Sequence, residues 1–494
     1  MDDSRRDAAT TATALVTGLF LLSISNGRYM VPQAIWFGAP LVLIGLRRLP
    51  PRAAIGAGLL GFVAVFIVQA NGVINLAPPL SLLVAAGFGA IGFLPYAVDR
   101  LAAPRLKGVL ASLVFPLTLC GVEFVTGRLS PYGTFGAVAY SQVDNLPLLQ
   151  LASITGLWGV SFMIAWFAST AAGLSARGGD LRPAKPLIIS FAAVAIAVLA
   201  VGEARLALAP AVPTVRIAGI SPSASDGFHF IDLVGAPCQA DQCDAARARL
   251  ILIQNELLDA SRREARAGAR AILWSEDAGT VFKADEPALL ERARALARQE
   301  NVTLVIALQV LTPVHPLAEN KAVVIAPSGA IAAVYEKTRP VPGDPDLPGD
   351  GRIPVVESPF GRLASAICFD LDFPPLIRQV GRARADILLT PASDWREIDP
   401  LHAQMAVFRA VENGVSLLRE TRRGLSIATD PFGRPIASAD FFSARTRTLV
   451  ASVPTRGVAT LYPLIGDIVA WLGLAALLAL LMAALLRHRK AGSE

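Results

Sequence analysis

Eight apolar stretches leave this chain few ways to fold. Seven crowd the first 209 residues, at roughly 11–26, 31–46, 53–71, 79–97, 107–125, 148–175 and 186–208, and an eighth covers about 460–486. About 20 apolar residues cross a bilayer as a helix, and within lipid each span must pair its own backbone polar groups. Each stretch is close to that length, though the second is short. The first follows Arg5 and Arg6 and resembles a signal peptide, but no small-residue cleavage site follows it and six more spans do, so it reads as an uncleaved span. Composition agrees. The 494 residues are 53% hydrophobic and 17% charged, with a mean hydropathy of +0.52, too apolar for an ordinary soluble chain.

The net charge of +6 lies in short clusters between apolar segments. It forms no basic stripe with interleaved aromatics, so nucleic acid is not an expected partner. With the N-terminus in the cytoplasm, the inside loops hold Arg5 and Arg6; Arg47, Arg48 and Arg52; Arg100, Arg105 and Lys107; Arg177, Arg182 and Lys185; and the tail Arg487, Arg489 and Lys490. The short outside loops hold little beyond Arg28 and Arg128. This asymmetry sets the orientation. Three regions follow: a membrane domain at 1–209, a domain at 210–458 on the far side, and a returning span with a basic cytoplasmic tail at 459–494.

The middle region has a different texture. Strand-like runs at 214–220, 269–276 and 302–310 alternate with helical patterns at 241–268 and 286–300. "KAVVIAPSGAIAAVYEK" (321–337) reads as two strands around a Pro-Ser-Gly turn. A strand before Cys368, helices at 374–384 and 401–413, and strands in "ADILLTPASDW", "VSLLRET", "LSIATD" and "RPIASAD" complete an α/β sandwich-like domain. No internal sequence repeat is visible.

Three of these strands end on a reactive residue type: Glu276 after "AILWS", Lys337 after "AAVYE" and Cys368 after "LASAI". In "SAICFDLDFP" the sequence predicts Asp372 as an N-cap, with proline in the first turn of the helix that follows. A thiol just ahead of a helix N-terminus can have a lowered pKa. A carboxylate, an ammonium and a thiol at strand ends suit acyl transfer. The thiolate attacks a carbonyl, the carboxylate takes its proton, and the ammonium steadies the oxyanion. Cys238 and Cys243, in "PCQADQC", could close a small disulfide in an oxidising compartment. A metal site there would need more ligands than the nearby His229, and neither metal nor organic cofactor is expected.

Residues 214–455 resemble the nitrilase, or carbon–nitrogen hydrolase, superfamily through "LWSED", "VYEKTRPVPGD", "AICFDLDFP", "TPASDW" and "HAQMAVFRAVENGVSLLRETRRGLS". The seven spans ahead, the one behind, and "YSQVDNLPLLQLASITGLWGVSFMIAWFAS" (140–169) are similar to the apolipoprotein N-acyltransferase family. The resemblance implies an αββα sandwich beside a multi-span membrane domain in a bacterial inner membrane. It implies Glu276 as general base, Lys337 as oxyanion stabiliser and Cys368 as nucleophile. It also implies a ping-pong cycle from a phospholipid donor, through a thioester, to the N-terminal diacylglyceryl-cysteine of a lipoprotein acceptor. Asp344 in the Pro/Gly-rich stretch 338–354, a candidate lid, and Asp370 stand where that family usually has Glu. The family's Gln-rich opening and following Trp are absent from "VRIAGISPSASDGFHF". These departures bear on the substrate pocket.

Trp395 and Asp394 follow a strand on the side of the site and are candidates to line the pocket. Arg419, Glu420 and Thr421 end another strand, as structural or orienting charges. His402 reads as an ordinary residue at a helix start, and Glu336 as solvent-facing. Glu123, near a span end with Arg128 beyond it, raises a transport reading on thin support. Two further readings compete: a membrane-anchored amidase, with water replacing the amine, and a transporter or sensor whose outer domain only binds. The intact Glu276, Lys337 and Cys368 argue against the last.

Overall fold

The structure, a computed structural model, describes residues 3–175, 182–223, 240–312, 315–444 and 447–491. Cys238, and with it the expected Cys238–Cys243 bridge, falls outside them. The chain divides into two compact units, residues 1–209 with 465–494, and residues 210–464.

The first unit is helical: α1 (Asp3–Ser23), α2 (Ala34–Arg48), α3 (Pro51–Gln69), α4 (Leu80–Ala102), α5 (Gly108–Leu129), α6 (Leu157–Ser175), α7 (Lys185–Ala207) and, from the far end of the chain, a helix at Ile468–Ala491. Among the described residues, six helices are long and apolar enough to cross a membrane: α3 to α7 and the last. The first two expected spans, α1 and α2, fall outside that set. α1 opens on the polar "DSRRD", and the 15 residues of α2 reach only about 22 Å, short of a core about 30 Å thick. They pack closely on each other: a Cβ at Gly45 would meet the Leu15 side chain at 2.9 Å. The expected span 148–175 is broken at Gly156, whose φ of 66° suits a residue without a Cβ. Glu123 accepts the Val138 backbone N–H at 2.8 Å, a local structural duty. Arg128 is paired with Asp467 at 2.6 Å.

The second unit is two stacked sheets. The first, ordered β13-β1-β2-β4-β5-β6 with β3 on β4, comprises β1 (Thr214–Ile220), β2 (Ala271–Trp274), β3 (Val281–Phe282), β4 (Thr303–Leu311), β5 (Glu319–Ile325), β6 (Ile331–Glu336) and β13 (Thr448–Pro454). The second, ordered β12-β11-β10-β9-β8-β7, comprises β7 (Val355–Ser358), β8 (Gly361–Ser365), β9 (Ile387–Ser393), β10 (Ser416–Arg422), β11 (Leu425–Thr429) and β12 (Pro435–Asp440). β1, β2 and β4 are parallel, as are β8, β9 and β10, and each trio continues into antiparallel strands. The helices Ala240–Arg266 and Glu286–Glu300 connect the first trio, and Pro374–Arg382 and Leu401–Asn413 the second. Leu257, Leu289 and Leu296 of the first pair bury against Ile272 and Leu304. This is the αββα order expected. Its halves repeat a topology that the sequence does not show as a repeat. Parallel strands joined by helices aim their C-terminal ends one way, and that is where the reactive residues lie.

Candidate active site

Glu276 follows β2, Lys337 follows β6 and Cys368 follows β8, so two residues come from the first sheet and one from the second. All three are buried. The Glu276 N–H donates to the Ala392 carbonyl at 3.1 Å, tying the base to β9 of the opposite sheet. Lys337 Nζ lies 2.8 Å from Glu276 Oε1 and 3.3 Å from Asp346 Oδ2. Asn320 Nδ2 donates to the same Glu276 oxygen at 2.8 Å and to Asp346 at 3.0 Å, and Gln309 donates to Asp346 Oδ1 at 2.7 Å. Burial opposes the charge on Lys337, but Glu276 and Asp346 outweigh it and hold the ammonium well above its usual range. Lys337 is therefore a fixed cation.

Cys368 has a φ of 44°, a left-handed conformation that a non-glycine residue adopts under constraint. It opens a five-residue 3₁₀ turn, Cys368–Asp372, and its Sγ lies 3.7 Å from the Ser393 carbonyl oxygen. The longer helix starts only at Pro374, with Phe373 at its N-cap, so Asp372 does not cap it. Burial pushes the Cys368 thiol well up, Glu276 and Asp394 add to this, and Lys337 and Arg419 pull back. This corrects the expectation of a thiol activated by a helix end. The resting group is a thiol that needs a base.

Asp370 is a brace. Its carboxylate accepts from Tyr335 O–H at 2.7 Å and from the N–H groups of Thr338, Arg339 and Ile367 at 3.1, 2.8 and 3.1 Å. It thereby ties the turn of Cys368 to the segment leaving Lys337. Asp344 lies near Lys337, and burial raises its carboxyl to about 6. The stretch 338–354 is pinned at Gly349, which donates to the Lys337 carbonyl at 2.8 Å, and at Leu347, which donates to Ala318 at 2.8 Å. Arg339 stacks over Phe373 at 4.8 Å. Glu336 is exposed.

On the other side of Cys368, Arg419 Nη2 reaches both oxygens of Asp394, at 2.7 and 2.9 Å. His402 Nδ1 is 3.0 Å from Asp394 Oδ1, and Trp395, half-buried, meets the His402 ring edge-on at 5.8 Å. Glu420 turns elsewhere and accepts from Ser221 at 2.7 Å. Cys368, Asp394 and His402 are a donor set a metal ion could use, but Arg419 occupies Asp394 and sets a positive charge against any cation. The sequence reading missed Asn320, Asp346 and Gln309, which carry no motif and meet only through strand register. His402 was read as ordinary.

Two family models match the chain: Apolipoprotein N-acyltransferase N-terminal domain over residues 17–170 and Carbon-nitrogen hydrolase over 237–460. An apolipoprotein N-acyltransferase of Geobacter metallireducens is 26% identical over 78% of this chain and 76% of that one. One of Bradyrhizobium diazoefficiens is 29% identical over 94% and 88%. Over most of its length this chain is similar to apolipoprotein N-acyltransferases. An amidase from Nesterenkonia sp. aligns with 50% of this chain and 94% of its own, at 22% identity and a TM-score of 0.39, too loose a likeness to argue from. With its apolar helices and these relatives, the chain is a bacterial inner-membrane protein. It is an N-acyltransferase of the carbon–nitrogen hydrolase superfamily.

Proposed function

We propose that Cys368 takes an acyl chain from a phospholipid as a thioester and passes it to the α-amine of a lipoprotein's N-terminal diacylglyceryl-cysteine. The observation that carries this reading is the meeting of a buried thiol with the Glu276–Lys337 pair in a chain similar to these acyltransferases. Glu276 takes the thiol proton. The thiolate forms the C–S bond, and the ester C–O bond breaks as the lysolipid leaves with a proton. Glu276 then accepts a proton from the incoming amine, the C–N bond forms, the C–S bond breaks, and the departing thiolate takes that proton back as the thiol. Lys337, held charged, stabilises the oxyanion of both tetrahedral intermediates. Asp370 holds the nucleophile's turn in register, and in this reading Asp344 and Trp395 contact substrate. Both substrates carry long chains whose removal from lipid costs roughly 0.8 kcal/mol per CH₂, which favours chemistry at the membrane.

The catalytic unit faces the periplasm and both termini the cytoplasm in this reading. The parity holds whether α1 and α2 both cross or neither does. The test is intact mass spectrometry after incubation with phospholipid, wild type beside Cys368→Ala. A hydroxylamine-sensitive acyl adduct on wild type alone is expected, discharged by a diacylated lipopeptide. An adduct of equal yield on Cys368→Ala would end the proposal.

A further inference from the structure

A row of rings starts beside Cys368. Phe369, its neighbour in the chain, meets Phe373 edge-on at 5.4 Å. The row ends on a charge, because the Arg339 guanidinium stacks over Phe373 at 4.8 Å. Arg339 follows Lys337 by two residues. Its backbone N–H donates to Asp370 Oδ1 at 2.8 Å, and Asp370 Oδ2 accepts from the N–H of Ile367, just before Cys368, at 3.1 Å. One carboxylate therefore fixes both the arginine's backbone and the nucleophile's turn. Phe369 and Phe373 are buried, whereas Arg339 is exposed. Among the described residues its guanidinium meets no carboxylate, and the ring beneath it holds the planar fork without spending an N–H donor. Lys337, the other cation on this side, is already committed to Glu276 and Asp346. Arg396 is stacked in the same way, over Phe442 at 5.1 Å, but among the described contacts no carboxylate ties its backbone to the turn of Cys368.

We propose that Arg339 binds the phosphodiester of the acyl donor, so that the site selects a phospholipid over an uncharged ester of the same acyl chain. The inference rests on Cys368 taking its acyl group from phospholipid. In a glycerophospholipid only the glycerol separates the phosphate from the ester carbonyls. A carbonyl held between Cys368 and Lys337 therefore brings its phosphate close to the nucleophile, where a cation with free donors is needed. A guanidinium fork matches phosphate oxygens with paired, charge-assisted hydrogen bonds. Arg339 breaks and forms no covalent bond. It places the donor, and the chemistry stays with Glu276, Lys337 and Cys368.

The test compares two donors in the full-length enzyme in detergent, with the acyl adduct on Cys368 read by intact mass over time. One donor is a dipalmitoyl phospholipid. The other is p-nitrophenyl palmitate, an activated ester with the same chain and no phosphodiester. Arg339→Gln keeps a polar stem over Phe373 but no charge. It should lower the ratio of the phospholipid rate to the p-nitrophenyl ester rate about tenfold or more, the worth of hydrogen bonds to a charged group. Arg339→Lys keeps the charge without the fork and should recover part of that ratio. An unchanged ratio in Arg339→Gln, or an equal loss on both donors, would overturn the inference. Should Arg339→Gln fail to fold, by thermal melting, Arg339→Lys decides alone: a lowered ratio supports the inference and a ratio equal to wild type overturns it. A wild-type enzyme that forms no thioester with phospholipid would remove the underlying reading and this one with it. A wild-type thioester with an unchanged ratio in Arg339→Gln removes only this one.

Discussion

The second strand of each parallel trio runs into a buried acid paired with a cation, and the two pairs are built differently. After β2, Glu276 meets Lys337, and among the described contacts only its Oε1 is engaged. After β9, Asp394 meets Arg419, and both oxygens are spent: Oδ1 on Arg419 and His402, Oδ2 on Arg419 and Thr421. Charge sign and burial are alike in the two pairs. What separates the base from the brace is whether a lone pair remains for a substrate's proton. Lys337 also has a second partner in Asp346, so its charge survives changes at Glu276. Among the described carboxylates, Arg419 is paired with Asp394 alone.

Substitutions should separate the pairs. Glu276→Gln should lower acyl transfer by about 10²–10⁴ while the melting temperature moves little, since Asp346 still meets Lys337. Asp394→Asn should instead cost stability, about 3–5 kcal/mol, because it weakens the partner of a buried guanidinium. Chemical denaturation measures this, and an Asp394→Asn protein as stable as wild type would break the comparison. A smaller effect is expected at Asp370, which braces without pairing. Asp370→Asn offers one acceptor oxygen to four donors and should cost about 1–3 kcal/mol. Steady-state kinetics should show the loss mainly in kcat, as misplacement of Cys368. The smallest is at Asp344. Its folded pKa, about 6, exceeds the unfolded value of about 3.9. The folded state therefore binds more protons, and stability falls as pH rises between those values. Asp344→Asn should remove that fall, which thermal melts at stepped pH would show.

Much of this was legible in residue order. Thr214–Ile220 and Leu401–Asn413 appear where the sequence places them, because their apolar periods are clean and turn residues bound them. Glu276, Lys337 and Cys368 are legible because each ends a strand, and parallel strands bring such ends together. The rest depends on pairing across long separations. Asn320 and Asp346 meet Lys337 only through the β5–β6 register and the Ala318–Asp346 bridge. β3, β7 and β13 went unread, being short or far from their partners. Asp372 looked like a cap because its spacing to proline is right, but the tight turn at Cys368 draws it inward to His402. Hydropathy alone could not show that Gly156 breaks a helix.

β13 pairs with β1 along its whole length, Thr214 opposite Pro454 and Ile220 opposite Thr448. The two strands are separated by more than two hundred residues of sequence. A ribosome that has translated as far as Asp440 has already made Glu276, Lys337, Cys368 and both sheets but for one strand. Until residues 448–454 emerge, β1 is an open edge with unpaired backbone groups. Closure of that sheet is thus among the last steps of synthesis, and a chain stopped just short of it would carry every catalytic side chain on an unfinished sheet.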